Sequence, residues 1–288
     1  MAVVVQGREI ADSILASLRV RVEAMKQRRF MPLLAVVVVG EDKPSLTYVR
    51  KKGEAAEALG MGFLKFEFPA TIGRQELIGE IKKIQQEHKL SGLIIQLPVP
   101  EALWPFTREI VNNIALAIDV DCLSHPALGR VLMNESVFVP PTPGAILEVL
   151  SYYKVPLQGK EVCVVGRGDL IGRPLVGLLS HYPVTLTTCG RATRDLARYT
   201  RTADVVITGV GKHNLVTGDM IKPGAAVVDA GVSFYEGKMY GDIEYDTVAE
   251  RAGLVTPTPG GVGPITVAKL LQNTVQAAER QCEVTPKL

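Results

Sequence analysis

The 288-residue chain is poor in the features that mark specialised protein classes. It has four cysteines, at 122, 163, 189 and 282, with neither paired nor metal-like spacing. That argues against a disulfide scaffold and a thiolate metal site, and the thiols read as free in a reducing, cytoplasmic setting. Charge of one sign is also scarce. The formal net charge is +2, and no block of five or six like charges occurs, so nucleic acid is not an expected partner. Long apolar runs are missing too. The longest, Leu33 to Val39, has the length of a strand and is far too short to span a bilayer, so no membrane role is expected. Met1 to Val5 is apolar, but Arg8 and Glu9 follow at once, which does not read as a signal peptide. No repeat or low-complexity tract is visible. What remains is a globular composition, 47% hydrophobic and 22% charged, at a length that suits about two domains.

The apolar pattern alternates between short runs and amphipathic stretches. Residues 7–28 place Ile10, Ile14, Leu18, Val22 and Met25 on one helical stripe. Leu33 to Val39 reads as a buried strand, Pro44 to Leu59 as a helix stopped by Gly60, and Phe63 to Phe68 as a strand. A helix over about 74–89 and a strand from Gly92 to Ile95 follow. This rhythm predicts an α/β fold with a mainly parallel sheet, whose ligand lies beyond the carboxyl ends of the strands. Pro140-Pro-Thr-Pro-Gly144 is rigid and reads as the passage between domains, and Pro143 and Gly144 then start a helix, Ala145 to Tyr153.

A second α/β unit is centred on residues 160–174. The run 161–165 reads as a buried strand; Gly166, Gly168 and Gly172 follow, and then a helical apolar segment. Strand, glycine turn and helix in that order let backbone N–H groups approach a pyrophosphate at a helix N-terminus. The spacing G-x-G-x-x-x-G is one residue longer than the dinucleotide fingerprint, so the turn alone is a weak signal. The next strand, Val184 to Thr188, ends in Cys189-Gly190-Arg191 and not in an acid. An arginine there suits a 2′-phosphate and favours NADP over NAD. Val205 to Thr208 and Ala225 to Asp229 continue the sheet, and their loops, Gly209-Val-Gly211 and Gly231, are expected to line the cofactor. Thr256 to Pro264 is dense in proline and glycine and reads as either a linker or a ligand clamp, with length alone favouring a linker; a helix from Ile265 to about Arg280 ends the pattern.

Two polar constellations stand outside that unit. Tyr48 and Lys52 lie four apart on one helix face, but Arg50, Lys51 and Lys52 run together, and periodicity does not choose between the two lysines. Asp119-Val-Asp121 is a possible carboxylate pair, yet alternation separates the side chains and no histidine or further acid is close in sequence, so no metal site is expected.

Taken together, Tyr48-x-x-x-Lys52, Gln96-Leu-Pro-Val-Pro100, Asp119-Val-Asp121, Pro140-x-Thr-Pro-Gly144, Gly166-Arg-x-x-x-x-Gly-Arg-Pro174 and Pro259-Gly-Gly-Val-Gly-Pro-x-Thr266 resemble the bifunctional methylenetetrahydrofolate dehydrogenase/methenyltetrahydrofolate cyclohydrolase family, nearly end to end. The resemblance implies a homodimer with two domains per chain and a folate cleft between them. Residues 1–139 with 265–288 would form the folate-binding catalytic domain, and 140–264 a Rossmann-like NADP-binding domain. It implies NADP-dependent oxidation of 5,10-methylenetetrahydrofolate, then hydrolysis to 10-formyltetrahydrofolate. Lys52 would be the catalytic amine, Gln96 its neighbour, Tyr48 a platform along the substrate, and Asp121 the pterin anchor. Leu97, Pro98, Pro259, Gly260 and Gly261 would also touch substrate, which makes the Pro259–Pro264 loop a clamp and not a linker. Gly166, Arg167, Gly168, Arg191 and Val232 would contact NADP, with Arg173 and Arg194 placed to join Arg191.

Some positions depart from the family's usual pattern. Ile118 stands for Lys, Cys122 for Gly, Pro141 for Cys, Gly168 for Ser, Gly190-Arg191 for His-Ser, and Ser233 for Asn. A positive φ at Cys122 would strain the backbone beside Asp121. Rival readings are a dehydrogenase without the hydrolytic step, a different two-domain NADP oxidoreductase, and a nucleotide sensor without turnover.

Overall fold

The structure, a computed structural model, describes residues 2–284. Its strands are β1 (Val3–Val4), β2 (Leu33–Val39), β3 (Gly62–Phe68), β4 (Gly92–Ile95), β5 (Glu161–Val165), β6 (Thr185–Cys189), β7 (Val205–Thr208), β8 (Ala226–Asp229), β9 (Ser233–Tyr235), β10 (Lys238–Tyr240) and β11 (Leu254–Val255). Its α-helices are α1 (Gly7–Gln27), α2 (Lys43–Ala58), α3 (Arg74–Glu87), α4 (Thr107–Val111), α5 (His125–Leu132), α6 (Pro141–Tyr152), α7 (Gly172–Leu179), α8 (Leu196–Thr200), α9 (Tyr245–Arg251) and α10 (Val262–Val284). They form two compact units. One holds residues up to Asp12, Val131–Glu135 and Thr142–Thr266; the other holds Ser13–Arg130, Ser136–Pro141 and the chain from Val267 on.

In the unit that begins at Ser13, β3, β2 and β4 make a parallel sheet in that order. β2 is apolar throughout because both of its faces are covered. Leu34, Val36 and Val38 join a core with Leu18 and Val22 of α1 and Leu270 and Leu271 of α10. Ala35, Val37 and Val39 point the other way, into a core with Leu77, Ile81 and Ile84 of α3. Full burial of each Val, Leu or Ile contributes about 1.5–3 kcal/mol relative to exposure. α2 starts where Asp42 accepts a hydrogen bond from the Ser45 N–H at 2.9 Å, with Pro44 in its first turn, where no intrahelical donor is needed. It ends before Gly60, whose φ of +76° only glycine takes without strain. A Cβ on Gly53 would come within 2.8 Å of the Phe63 ring, so a bare glycine lets α2 lie close on β3.

In the other unit a six-stranded parallel sheet runs β1-β11-β8-β7-β5-β6, and β9 and β10 form an antiparallel hairpin. β5 lies between β6 and β7, so the strand order reverses there, and such switch points receive ligands in open α/β sheets. This unit includes residues up to Asp12, which were expected in the other one. The reason is strand pairing: Val3 and Val4 pair with Leu254 and Val255 at the sheet edge.

The helix at the proline-rich passage was expected to open at Pro143 and Gly144 and starts slightly earlier: α6 begins at Pro141 and takes Pro143 and Gly144 into its first turns. α10 likewise begins at Val262, inside the glycine-rich stretch. Both α1 and α10 contribute residues to the two units, and Arg21 of α1 grips Glu279 of α10 through two hydrogen bonds of 2.8 and 2.6 Å. Among the described residues no helix is long and apolar enough to cross a membrane.

Candidate active site

β2 and β4 are neighbours, so the segments leaving their carboxyl ends are brought side by side. α2 follows the first, and Gln96 follows the second and extends the ladder through its N–H to the Val37 carbonyl at 2.8 Å. Across that rim Lys52 Nζ donates to Gln96 Oε1 at 3.0 Å. The Gln96 amide nitrogen donates to the Leu97 carbonyl at 2.8 Å, which turns its oxygen toward the amine. Lys51, one position away, is exposed, whereas Lys52 and Tyr48 are half-buried. Tertiary structure thus separates two lysines that periodicity leaves equivalent.

Burial pulls the Lys52 ammonium below its ordinary pKa, and the charge of Asp121 opposes part of that shift. Burial raises the Asp121 carboxyl; Lys52 lowers it and Asp119 raises it again. Burial also raises the Tyr48 phenol. A partly desolvated amine, an uncharged hydrogen-bond acceptor beside it and a carboxylate in electrostatic reach can together take up and hold a proton.

The two carboxylates of Asp119-Val-Asp121 differ in their surroundings. Asp119 is fully buried and accepts from the N–H groups of Leu123 at 3.3 Å and Ser124 at 2.9 Å, closing the turn that carries Asp121. Between them the Val120 carbonyl accepts from Asn273 Nδ2 of α10 at 2.8 Å, and the Val120 side chain packs on Gly92, where a Cβ would lie 2.9 Å from it. Among the described residues no group of three or more His, Cys, Asp or Glu side chains is placed to hold a metal ion.

Cys122 has a φ of +56°, the conformation that favours glycine, and its side chain is fully buried. Burial pushes its thiol well above the usual range, with Asp119 and Asp121 adding to the shift. The strained backbone leaves Asp121 within electrostatic reach of Lys52. Cys122→Ala and Cys122→Gly both remove the sulfur, but only Ala keeps the Cβ that disfavours positive φ. The Gly variant is therefore expected to be the more stable by about 1 kcal/mol in urea unfolding. The reverse order would show that this φ is not retained.

In the other unit the glycine turn joins β5 to α7. Gly166 has a φ of +113°, and a Cβ there would lie 2.8 Å from the Gly209 carbonyl oxygen. A Cβ on Gly172 would overlap the Gly166 carbonyl, whereas one on Gly168 would meet open space. The first two glycines let helix and loop close on the turn, and the third leaves backbone exposed beside it. Arg167, Arg173, Arg191 and Arg194 are all exposed around this end of the sheet, with Arg173 paired to Asp169. The Arg167 guanidinium lies over Gly190, where a Cβ would come within 2.5 Å of its Nε. Bare backbone, the start of a helix and several guanidiniums fit the phosphates of a dinucleotide.

Residues 5–121 match the family model described as tetrahydrofolate dehydrogenase/cyclohydrolase, catalytic domain, and residues 140–282 match the NAD(P)-binding domain of the same family. The chain belongs to the tetrahydrofolate dehydrogenase/cyclohydrolase family. It is 39% identical over 277 residues to the bifunctional protein FolD of Nautilia profundicola, covering 96% of this chain and 97% of that protein. Among solved structures it is similar to the bifunctional FolD methylenetetrahydrofolate dehydrogenase/cyclohydrolase of Campylobacter jejuni, with a TM-score of 0.93, 33% identity, and 98% and 100% of the two chains covered. The FolD of Trypanosoma brucei, complexed with NADP cofactor and inhibitor, gives a TM-score of 0.92 at 35% identity, covering 97% and 98%.

Within this family member the expected site residues fall into three groups. Lys52, Gln96 and Asp121 are brought together, with Tyr48 one helical turn before Lys52; Leu97 and Pro98 continue directly from Gln96. Gly166, Arg167, Gly168, Arg173 and Arg191 gather at the glycine turn and the end of β6, while exposed Val232 follows β8. Pro259 and Gly260 are exposed and Gly261 is buried, just ahead of α10. Sequence reasoning missed Asn273, Asp229 and Asp242. The last two carried a visible signal, since each acid stands at or beyond a strand end beside a glycine-containing turn.

Proposed function

We propose that this chain oxidises 5,10-methylenetetrahydrofolate to 5,10-methenyltetrahydrofolate with NADP and then hydrolyses that product to 10-formyltetrahydrofolate. The observation that carries the reading is the half-buried Lys52 amine hydrogen-bonded at 3.0 Å to Gln96, with Asp121 in electrostatic reach. Bound NADP supplies the acceptor for the hydride that leaves the folate methylene carbon. The chain's task in that step is placement, because the two nitrogens flanking the carbon already push the hydride out. Tyr48 offers a face along the substrate, and Asp121 accepts paired hydrogen bonds from the pterin amino group and ring N–H. Leu97, Pro98, Pro259, Gly260 and Gly261 complete the substrate contacts.

Hydrolysis asks more of the side chains. Water adds to the methenyl carbon and loses a proton, and one ring C–N bond then opens to leave the formyl group. Burial lowers the Lys52 pKa, which makes the free amine available as the base. Gln96 steers that amine without adding an anion that would raise its pKa.

Gly166, Arg167, Gly168, Arg173, Arg191 and Val232 are assigned to the cofactor, with Arg191 on the 2′-phosphate. Arg191→Ala is expected to weaken NADP about tenfold, the scale of one charge-assisted hydrogen bond, and to leave NAD nearly unchanged. Equal loss for both cofactors in a binding titration would remove Arg191 from that role. The reading further holds that the protein is a homodimer of the cytoplasm; its four cysteines are free and buried, which suits a reducing compartment.

One coupled absorbance assay tests the whole reading. NADPH and methenyltetrahydrofolate are followed together after methylenetetrahydrofolate is added. NADPH formation with transient methenyl-folate is expected. Lasting accumulation of methenyl-folate would leave a dehydrogenase alone, and no NADPH would leave a binding protein.

A further inference from the structure

Two buried acids at the carboxyl ends of β7 and β8 have no part in the chemistry described so far. Asp242 is fully buried, and its Oδ2 accepts from the Val210 N–H at 2.6 Å. Its Oδ1 accepts from the N–H groups of Gly211 at 2.8 Å and Lys212 at 2.7 Å. Three successive backbone donors converge on one carboxylate, so the loop leaving β7 is wrapped around it. Asp229, 2% exposed, seats that acid in turn. Its Oδ2 accepts from the Asp242 N–H at 2.7 Å and the Ile243 N–H at 3.1 Å. Its Oδ1 accepts from Thr208 Oγ1 at 2.8 Å and the Gly231 N–H at 2.9 Å. All of these neighbours donate, which suits the ionised forms, although burial and the charge of Asp242 push Asp229 up to about 6.

The glycines nearby follow from this arrangement. A Cβ on Gly231 would overlap the Asp242 carboxyl, and one on Gly241 would overlap Asp229. The loop that Asp242 holds also abuts the glycine turn, since Gly209 lies against Gly166. On the solvent side it presents Val210, and the loop after β8 presents Val232; these apolar side chains are 47% and 40% exposed. An exposed apolar side chain on a loop pinned from below is shaped to receive a ligand.

We propose that Asp242, seated by Asp229, is a positioning residue for the dehydrogenase step, fixing the 209–212 and 231–232 loops in the form that receives the cofactor. The inference rests on the NADP-dependent reading above. It adds that cofactor affinity depends on a carboxylate that does not itself touch the cofactor. Because hydrolysis of supplied methenyltetrahydrofolate needs no NADP, that activity serves as an internal measure of an intact fold.

Asp242→Asn keeps the side chain's shape but turns an amide NH₂ toward backbone donors. The KM for NADP is expected to rise about tenfold or more, with lower NADPH formation, while hydrolysis assayed without NADP stays within about twofold of wild type. Thr208→Val, which removes one donor to Asp229, is expected to move the KM for NADP in the same direction by roughly threefold. An unchanged KM in Asp242→Asn, or a loss of hydrolysis parallel to that of NADPH formation, would overturn the proposal. If Asp242→Asn does not fold, Thr208→Val decides, and an unchanged KM there overturns it. A wild-type protein that forms no NADPH would fail the functional reading itself, which is a separate outcome.

Discussion

Replacing Lys52 by methionine is expected to lower hydrolysis of methenyltetrahydrofolate by about 10²–10⁴-fold, the contribution of one general base. Methionine keeps much of the apolar stem and removes the amine that donates to Gln96. Hydride loss needs no base, so NADPH formation is expected to survive at a reduced rate and methenyl-folate to accumulate. Lys51→Met is the control. It lies about 100° round α2 by the ~3.6-residue helical turn, and it is exposed. In the wild type, hydrolysis is expected to rise with pH through the lowered Lys52 pKa, because the free amine is the active form. Methionine abolishes that dependence. Unchanged hydrolysis in Lys52→Met, or a loss confined to Lys51→Met, would give the base to another group.

The second large effect concerns Asp121. On the proposed anchoring role, Asp121→Ala removes an acceptor of two charge-assisted hydrogen bonds to the pterin, together about 3–6 kcal/mol, so kcat/KM should fall by roughly 10²–10⁴-fold. Both activities should fall together, since both act on the same bound pterin. Asp121→Asn adds a second readout. The Asp121 charge raises the Lys52 pKa, so its removal should move the rising, acid-side limb of residual hydrolysis to lower pH. Wild-type Michaelis constants and rates in Asp121→Ala would mean that the pterin is anchored elsewhere.

Each of these experiments turns on a distinction that the sequence makes only in part. The apolar run of β2, the helix of residues 74–87 and the strand–glycine–helix order around Gly166 were legible, because strand and helix periods and glycine turns are local properties. The motif order and the resemblance it carries were legible for the same reason, and the family models match both halves of the chain. Proline marked the next helix to within two residues. Pro143 and Gly144 read as its opening, and α6 begins at Pro141, because a missing N–H costs nothing in a first turn. The two-residue strand Val3–Val4 was too short to show any period, and only its partner Leu254–Val255 makes it a strand.

The sequence by itself determined the parallel α/β architecture, the two-unit plan and the family. Lys52 and Asp121 were already singled out by the resemblance, but the exposure of Lys51, the Lys52–Gln96 hydrogen bond, the turn that Asp119 closes and the seating of Asp242 on Asp229 were decided by tertiary structure. Those outcomes depend on burial and on donors far away in the chain. Asn273 holds the Val120 carbonyl across a separation of 153 residues, and Thr208 reaches Asp229 across 21. A pKa or a side-chain direction follows from the dielectric and the donors around a group, and these are assembled only when distant segments pack.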